Sequence, residues 1–397
     1  MGLLPKTMGT RPRLACEIRA EGVTAARADD SSGTLSAVER IAFAANASSA
    51  NGTARTEKVA AIRRALDAIG QRGREVTLVV PDSAARVLLI DFDELPTKAS
   101  EALPVVRFRL KKLLPFDADD AAVSYQVMSG TRGAMQVLAV AMPRETLANY
   151  ESLVRDAGYQ PGAVLPCTLA ALAGLDEDAA PSLVVNAGRE SVTTAIVKSG
   201  VLLLHRTIFL ATGDLIGGTA VTAVSPAPQA AAASPASAET IAPNPSTPAN
   251  ETSREASRDT TIAAIAARFA AMEGQTTPAP RAPDGPAVNR VGSALASGMA
   301  PQNPPAPNPA PAQKSVAPAE EIAQAVSVAV AYFEDTLGML PQVILSAGPL
   351  GAEALASLLG ANAPRVEEMV SRAMLDAGAG DAVPAGWLAG VRGALRS

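Results

Sequence analysis

Histidine, tryptophan, cysteine and aromatic rings in general are scarce in this sequence. It holds one histidine, one tryptophan and two cysteines in 397 residues, and aromatics reach only 3%. A single histidine, His205, leaves one centre at which a Ser-His-Asp triad could be assembled. It lies in an alternating apolar stretch beside Arg206, where a structural or surface role is expected. Cys16 and Cys167 are far apart, each in apolar surroundings, so they form neither a disulfide framework nor a zinc spacing and read as free buried thiols. No apolar run approaches the ~18 residues needed to span a bilayer. The first residues, with Lys6, Arg11 and Arg13, lack the apolar segment of a signal peptide. The expectation is a soluble cytoplasmic chain, held at any membrane only through a partner. Charge is nearly balanced, 34 basic against 39 acidic residues for a net −5, which gives no general reason to bind nucleic acid.

What is present is apolar: 48% of residues, with alanine and small aliphatics left to fill the core. Residues 14–27 read as a strand, a turn near Glu21-Gly22 and a second strand, and 36–43 as a third. Residues 46–53 read as loop. Val59, Ile62, Leu66 and Ile69 mark one face of a helix over 57–69, closed by Gly70. Short strands are expected at 76–80 and 87–90. Residues 104–114 read as a helix with Val106, Leu110 and Leu113 on one face, stopped at Pro115. Paired strands at 122–128 and 135–141 follow, then a helix at 145–156 and another over 164–172. Residues 183–208 alternate as a hairpin around Lys198-Ser199-Gly200.

From 221 to 318 Ala, Pro, Ser and Thr dominate, and such a segment cannot bury enough surface to offset its chain entropy. It is predicted to be a disordered Ala/Pro-rich linker, with a transient helical island at 260–272. Order is expected to return with a helix from Glu320 to Gly338, a strand at 343–345, a helix at 352–359 and a last one at 391–395. The pattern predicts an α/β chain of two lobes. Lobe 1 takes 1–85, an α+β insert 86–157 and a return helix 158–182. Lobe 2 takes 183–220 and 319–397, on either side of the linker.

Three separated stretches, Leu14-Ala15-Cys16-Glu17-Ile18-Arg19, Val185-Asn186-Ala187-Gly188 and Leu345-Ser346-Ala347-Gly348, resemble the two phosphate hairpins and the adenosine loop of the actin-like (ribonuclease H-like) ATPase superfamily. Within it, the chain resembles the PilM family of type IV pilus assembly. The resemblance rests on the order of Asp93-Glu94-Leu95-Pro96, Arg107-Phe108 through Leu114-Pro115-Phe116, Val123-Ser124-Tyr125-Gln126-Val127, Val164-Leu165-Pro166 and Trp387-Leu388-Ala389-Gly390-Val391-Arg392. It implies a cytoplasmic scaffold on the inner membrane face. Its partner would be a PilN-like bitopic membrane protein, whose N-terminal peptide carries an Asn-Leu-Leu-Pro core and docks between main domain and insert. Pilus ATPases of the same machine would be further partners. An active actin-like ATPase and a GspL-like secretion component are the alternatives; the latter carries a transmembrane segment that this sequence does not show.

The resemblance places Glu17, Arg19, Asn186, Gly188, Ser346 and Gly348 at the cofactor site. The pattern there is broken. Glu17 replaces Asp, Arg19 replaces Gly, Asn186 replaces Asp and Ala347 replaces Gly. Arg19 puts a long side chain where a phosphate would sit. The expectation is no hydrolysis, and ATP with Mg bound weakly or not at all. Each residue also has a plainer reading: Glu17 as a solvated strand end, Asn186 and Gly188 as a tight turn, Gly348 as a strand-to-helix turn. Asp117, Asp119 and Asp120 read as a solvated acidic turn in preference to a calcium loop. Arg107, Arg109, Lys111 and Lys112 read as a solvated helix face, with anionic headgroups as the second reading.

Overall fold

The computed structural model describes residues 12–29, 33–43, 52–70, 73–131, 134–176, 179–210, 318–380 and 382–396. The expected linker and its helical island lie outside the described residues, except for Pro318, which opens a helix.

The first lobe is built on β1 (Leu14–Ile18), β2 (Gly22–Ala28) and β3 (Leu35–Ala42), an antiparallel meander. Helix α1 (Gly52–Ala68) then crosses to β4 (Glu75–Val80), parallel to β1. Leu14, Cys16 and Ile18 enter one core cluster and Ala15 another, so the two-residue period of β1 sends its side chains to both faces of the sheet. Ile62, Ala65 and Leu66 of α1 cover the first face. The helix starts at Gly52, five residues before the expected start at Glu57.

Between β4 and the return to this sheet comes the insert: β5 (Arg86–Phe92), α2 (Ala99–Leu110), β6 (Ala121–Thr131) and β7 (Ala134–Pro143), in sheet order β5-β7-β6. Helix α2 differs from the sequence expectation of 104–114. Pro104 lies inside it, and the helix ends at Leu110, followed by a turn in which the Leu113 and Leu114 amides donate to the Leu110 carbonyl. Ala102, Val106 and Leu110 pack on Ile90, Val137 and Ala139 of the sheet, which is what fixes the helix start upstream of the proline.

Helix α3 (Arg144–Asp156) buries Leu153 and Val154 in the first lobe's core, not in the insert with which its sequence position groups it. Arg55 of α1 pairs with Asp156 at 2.6 Å. The expected helix over 164–172 is corrected. Residues Gln160–Pro166 form strand β8, parallel to β4, and only Cys167–Leu172 form a helix, α4. Pairing with β4 overrides local propensity here, and Pro166, which ends the strand, directly precedes the helix.

The second lobe repeats the scheme. β9 (Ser182–Ala187), β10 (Ser191–Lys198) and β11 (Val201–Phe209) form the meander; the stretch expected as one hairpin is three strands. Ser199 and Gly200 both take positive φ, 49° and 72°, in the two-residue turn that joins β10 to β11. Helix α5 (Pro318–Leu337), β12 (Val343–Ser346), α6 (Gly351–Leu359) and β13 (Arg365–Glu368) follow. The sheets run β3-β2-β1-β4-β8 and β11-β10-β9-β12-β13, the same order twice. Strand β13 carries no alternation that would reveal it.

Helix α7 (Ala389–Leu395) does not stay with the second lobe. Ala389, Val391, Ala394 and Leu395 join the cluster formed by Ala15, Ala26, Leu35 and Leu169 to Leu172. The single tryptophan, Trp387, is buried in the same cluster beneath the Arg40 guanidinium, 4.0 Å from its ring centre. Met128 and Leu138 of the insert and Val184 and Leu202 of the second sheet belong to it too, so one core ties both lobes to the insert. Among the described residues no helix is long and apolar enough to cross a membrane.

Candidate functional site

β1, β4 and β8 are mutually parallel, and their carboxyl ends meet the first hairpin of the second lobe. That is where an open α/β sheet places a site. Glu17 shares the face of Ala15 on β1. It is 1% exposed, so the solvated strand-end reading is wrong: its carboxylate is inside. Arg19 opens the β1–β2 turn, its amide donating to the Gly22 carbonyl, and its side chain folds back into the cleft, 8% exposed.

The Arg19 Nε donates to Glu17 Oε1 at 2.5 Å and its Nη1 to Asn186 Oδ1 on β9 at 3.1 Å. Asn186 Nδ2 donates in turn to Thr168 Oγ1 at 2.9 Å and Cys167 Sγ at 3.2 Å. Asp82, in the turn after β4, accepts from the Thr168 amide at 3.0 Å and from its hydroxyl. At the rim, the Arg189 amide donates to Glu21 Oε1 at 2.7 Å, joining the two hairpin tips. Side chains of lobe 1 thus reach lobe 2 directly. Glu17 Oε2 and Arg19 Nη2 are buried with no hydrogen-bond partner.

Burial pushes the Glu17 carboxyl up against the pull of Arg19. Burial would lower Arg19, but Glu17 first, then Cys167 and Asp82, hold it above its ordinary value. A guanidinium does not give up its proton, so a fixed positive charge occupies the centre of the cleft. Both cysteines are buried and free, as expected. Burial, reinforced by Glu17, moves Cys16 up to about 12, and burial followed by Asp82 raises Cys167. Neither is a nucleophile near neutral pH.

The third loop closes on the same point. Ser346 is buried at the end of β12, and its carbonyl accepts from the Met369 amide at 2.9 Å. A Cβ on Gly348 would stand 2.5 Å from the Ala187 backbone and 2.7 Å from Asn186 Oδ1, so the close approach of two loops demands glycine. Gly188 faces Glu21 and Arg19 across the cleft. The segment around Trp387 seals the far side, where a Cβ on Gly390 would lie 2.4 Å from Glu17 Oε2. The space left among Arg19, Glu21, Asp82, Asn186 and Arg189 measures about 20 Å³. That is room for a water, against the ~300 Å³ at which small-molecule sites begin.

The structure therefore brings Glu17, Arg19, Asn186, Gly188 and Gly348 to one place, with Ser346 two residues before Gly348 at the end of β12. Sequence reasoning misses Asp82, Thr168, Glu21 and Gly390. The only local signals are Pro81 and Pro166, each directly before a helical turn that begins at a parallel strand's end.

The remaining expectations fall elsewhere. His205 is partly buried on β11 with its Nε2 enclosed and unpartnered; burial lowers its pKa, against Asp82. In the acidic turn Asp117 accepts from the Asp119 amide, and Asp119 pairs with Lys111 at 2.5 Å. The reading of Arg107 as solvated is corrected. It is half-buried and donates to the Ala118 and Ala121 carbonyls, fastening the turn before β6 to α2.

Two sheets of identical order, each a three-stranded meander followed by parallel strands, enclosing a cleft at their strand ends, define the actin-like, ribonuclease H-like two-lobed fold. Among solved structures, the chain is similar to the PilM–PilN type IV pilus biogenesis complex, with 14% identity over 97% of this chain and 99% of that one and a TM-score of 0.58. Weaker likenesses are to the cytoplasmic domain of EpsL, an inner membrane component of the type II secretion system of Vibrio cholerae (14% identity, 49% and 70% covered, TM-score 0.34), and to the ethanolamine utilization protein EutJ from Carboxydothermus hydrogenoformans (10% identity, 96% and 89% covered, TM-score 0.36). The first shares the fold of the described residues; nothing is argued from the other two. No family model and no curated protein matches the sequence.

Proposed function

We propose that the chain is a scaffold of a type IV pilus inner-membrane assembly platform, with an interlobe cleft that no longer works on nucleotide. The observation that carries the second half is Arg19. In this fold the cleft between hairpins is where glycines let backbone amides approach phosphates. Here a guanidinium stands there, neutralised by Glu17 and tied to Asn186. What supports the first half is likeness in fold to a chain of the PilM–PilN type IV pilus biogenesis complex. In this reading the protein is cytoplasmic, is not an ATPase, and reaches the membrane through the N-terminal peptide of a PilN-like protein. The peptide docks beside the insert by apolar anchors and backbone hydrogen bonds.

Two titrations test it. A synthetic N-terminal peptide of a PilN-like protein, Asn-Leu-Leu-Pro core included, is expected to bind the full chain, and no binding at high micromolar concentration would sink the scaffold reading. Calorimetry with ATP and Mg²⁺ is expected to stay flat; micromolar binding with turnover would make the protein an actin-like ATPase. Arg19→Gly is the variant in which restored nucleotide affinity would show.

A further inference from the structure

Helix α2 buries Ala102, Val106 and Leu110 and turns a second stripe to solvent. On that stripe Val105 is 38% exposed and Phe108 69%, the highest value among the large apolar side chains described. Arg109 and Lys112 lie beside them, both exposed. Positions 105, 108, 109 and 112 recur at the three- and four-residue spacing of one helix face and its following turn.

The other cations nearby are engaged. Arg107 holds the Ala118 and Ala121 carbonyls, Lys111 pairs with Asp119 at 2.5 Å, and Lys98 pairs with Glu101 at 3.2 Å. Arg109 and Lys112 are paired with no carboxylate among the described residues. Single exposed apolar residues are ordinary on a soluble protein. A valine and a ring followed by two such cations, on one stripe, are a composed surface.

We infer that this stripe is a contact for an anionic lipid surface. The apolar side chains suit the boundary between headgroups and acyl chains, and the two cations beside them suit lipid phosphates. Glu101 and Asp119 pair with Lys98 and Lys111, and Asp117 in the following turn also acts on Lys111, so neither ion pair draws on Arg109 or Lys112. A peptide partner would need a groove to receive it; this ring projects from the outer surface of a helix whose neighbours Pro104 and Val105 are themselves exposed. Each cation near an anionic surface changes partitioning roughly fivefold. Two cations and one ring make an auxiliary contact that orients the insert, rather than an anchor.

The test is co-sedimentation of the full chain with vesicles of phosphatidylcholine alone and of phosphatidylcholine mixed with phosphatidylglycerol. No partner protein is present, so the result is independent of the scaffold reading. Pelleting is expected only with phosphatidylglycerol and is expected to weaken in high salt. It should fall several-fold in Phe108→Ser and about 25-fold in Arg109→Gln/Lys112→Gln, and stay unchanged in Arg64→Gln, an exposed charge on α1. Absence of phosphatidylglycerol-dependent pelleting, or equal pelleting by the stripe variants, overturns the proposal. Binding of an oligoglutamate peptide by the stripe, without pelleting, overturns it in favour of an acidic protein ligand.

Discussion

In the cleft between the lobes the buried charge is answered from within the molecule: Arg19 by Glu17, and its second nitrogen by Asn186. On the outer face of α2 two cations and a phenyl ring are answered by nothing among the described residues. The contrast separates two kinds of position. A charge taken out of water must carry its partner with it, because the desolvation cost is otherwise several kcal/mol. A charge left at the surface costs the fold almost nothing and is available to something outside. The cleft has become part of the core, and the insert's outer helix has not.

Breaking the buried pair should have the largest effect. Arg19→Ala leaves the enclosed Glu17 carboxyl without its counter-ion, and is expected to cost about 3–5 kcal/mol in urea denaturation followed by the fluorescence of Trp387. Replacing both partners by apolar residues, Glu17→Leu/Arg19→Met, should cost markedly less than the single change. If the double variant is as unstable as the single, the pair is not the coupled unit described. Next comes Gly390→Ala. Its new methyl would meet the Glu17 carboxylate at 2.4 Å, and overpacking of that kind is expected to cost about 1–3 kcal/mol in the same denaturation.

A smaller effect belongs to His205. Its folded pKa lies below the ordinary 6.5, so between the two values the unfolded chain binds the proton more tightly. Stability is therefore complete above pH 6.5 and declines as the pH falls from there through the folded value. His205→Gln is expected to flatten that part of the curve, read as midpoint against pH; an unchanged slope would place the acid sensitivity elsewhere. The smallest effect sharpens the contrast from the other side. Phe108→Ser should leave the unfolding free energy within about 0.5 kcal/mol of the parent, because the ring packs on nothing in the insert's core. A loss above 2 kcal/mol would mean the ring is part of the fold.

Much of this architecture is legible in the sequence wherever one periodicity prevails. The stripes of α1, α3 and α5 and the alternation of β6, β7, β10 and β11 lie close to where the pattern puts them. The failures have a common cause in tertiary pairing. β8 exists because β4 lies beside it, and β13, four residues with three charges, because β12 does. Helix α2 begins ahead of Pro104 because Ala102 has a place under the sheet.

The cleft divides the same way. Arg19 and Asn186 could be picked out because each breaks a motif at a known place in a series. Asp82 and Thr168 could not: they stand 86 residues apart, in segments with no chemistry of their own, and meet only when β4 and β8 pair. The burial of Glu17 was equally hidden, since it depends on Gly390 arriving from the far end of the sequence.

That arrival has a consequence for synthesis. The ribosome makes β1 and β2 before the strands of the second lobe and α7 after them, yet α7 lies against β1 and β2, in the core of the first lobe. Domains usually fold in the order they are made. This one cannot complete its first lobe until residues 389–395 have emerged. By then the second lobe has had time to form, so the lobe begun first is the lobe finished last.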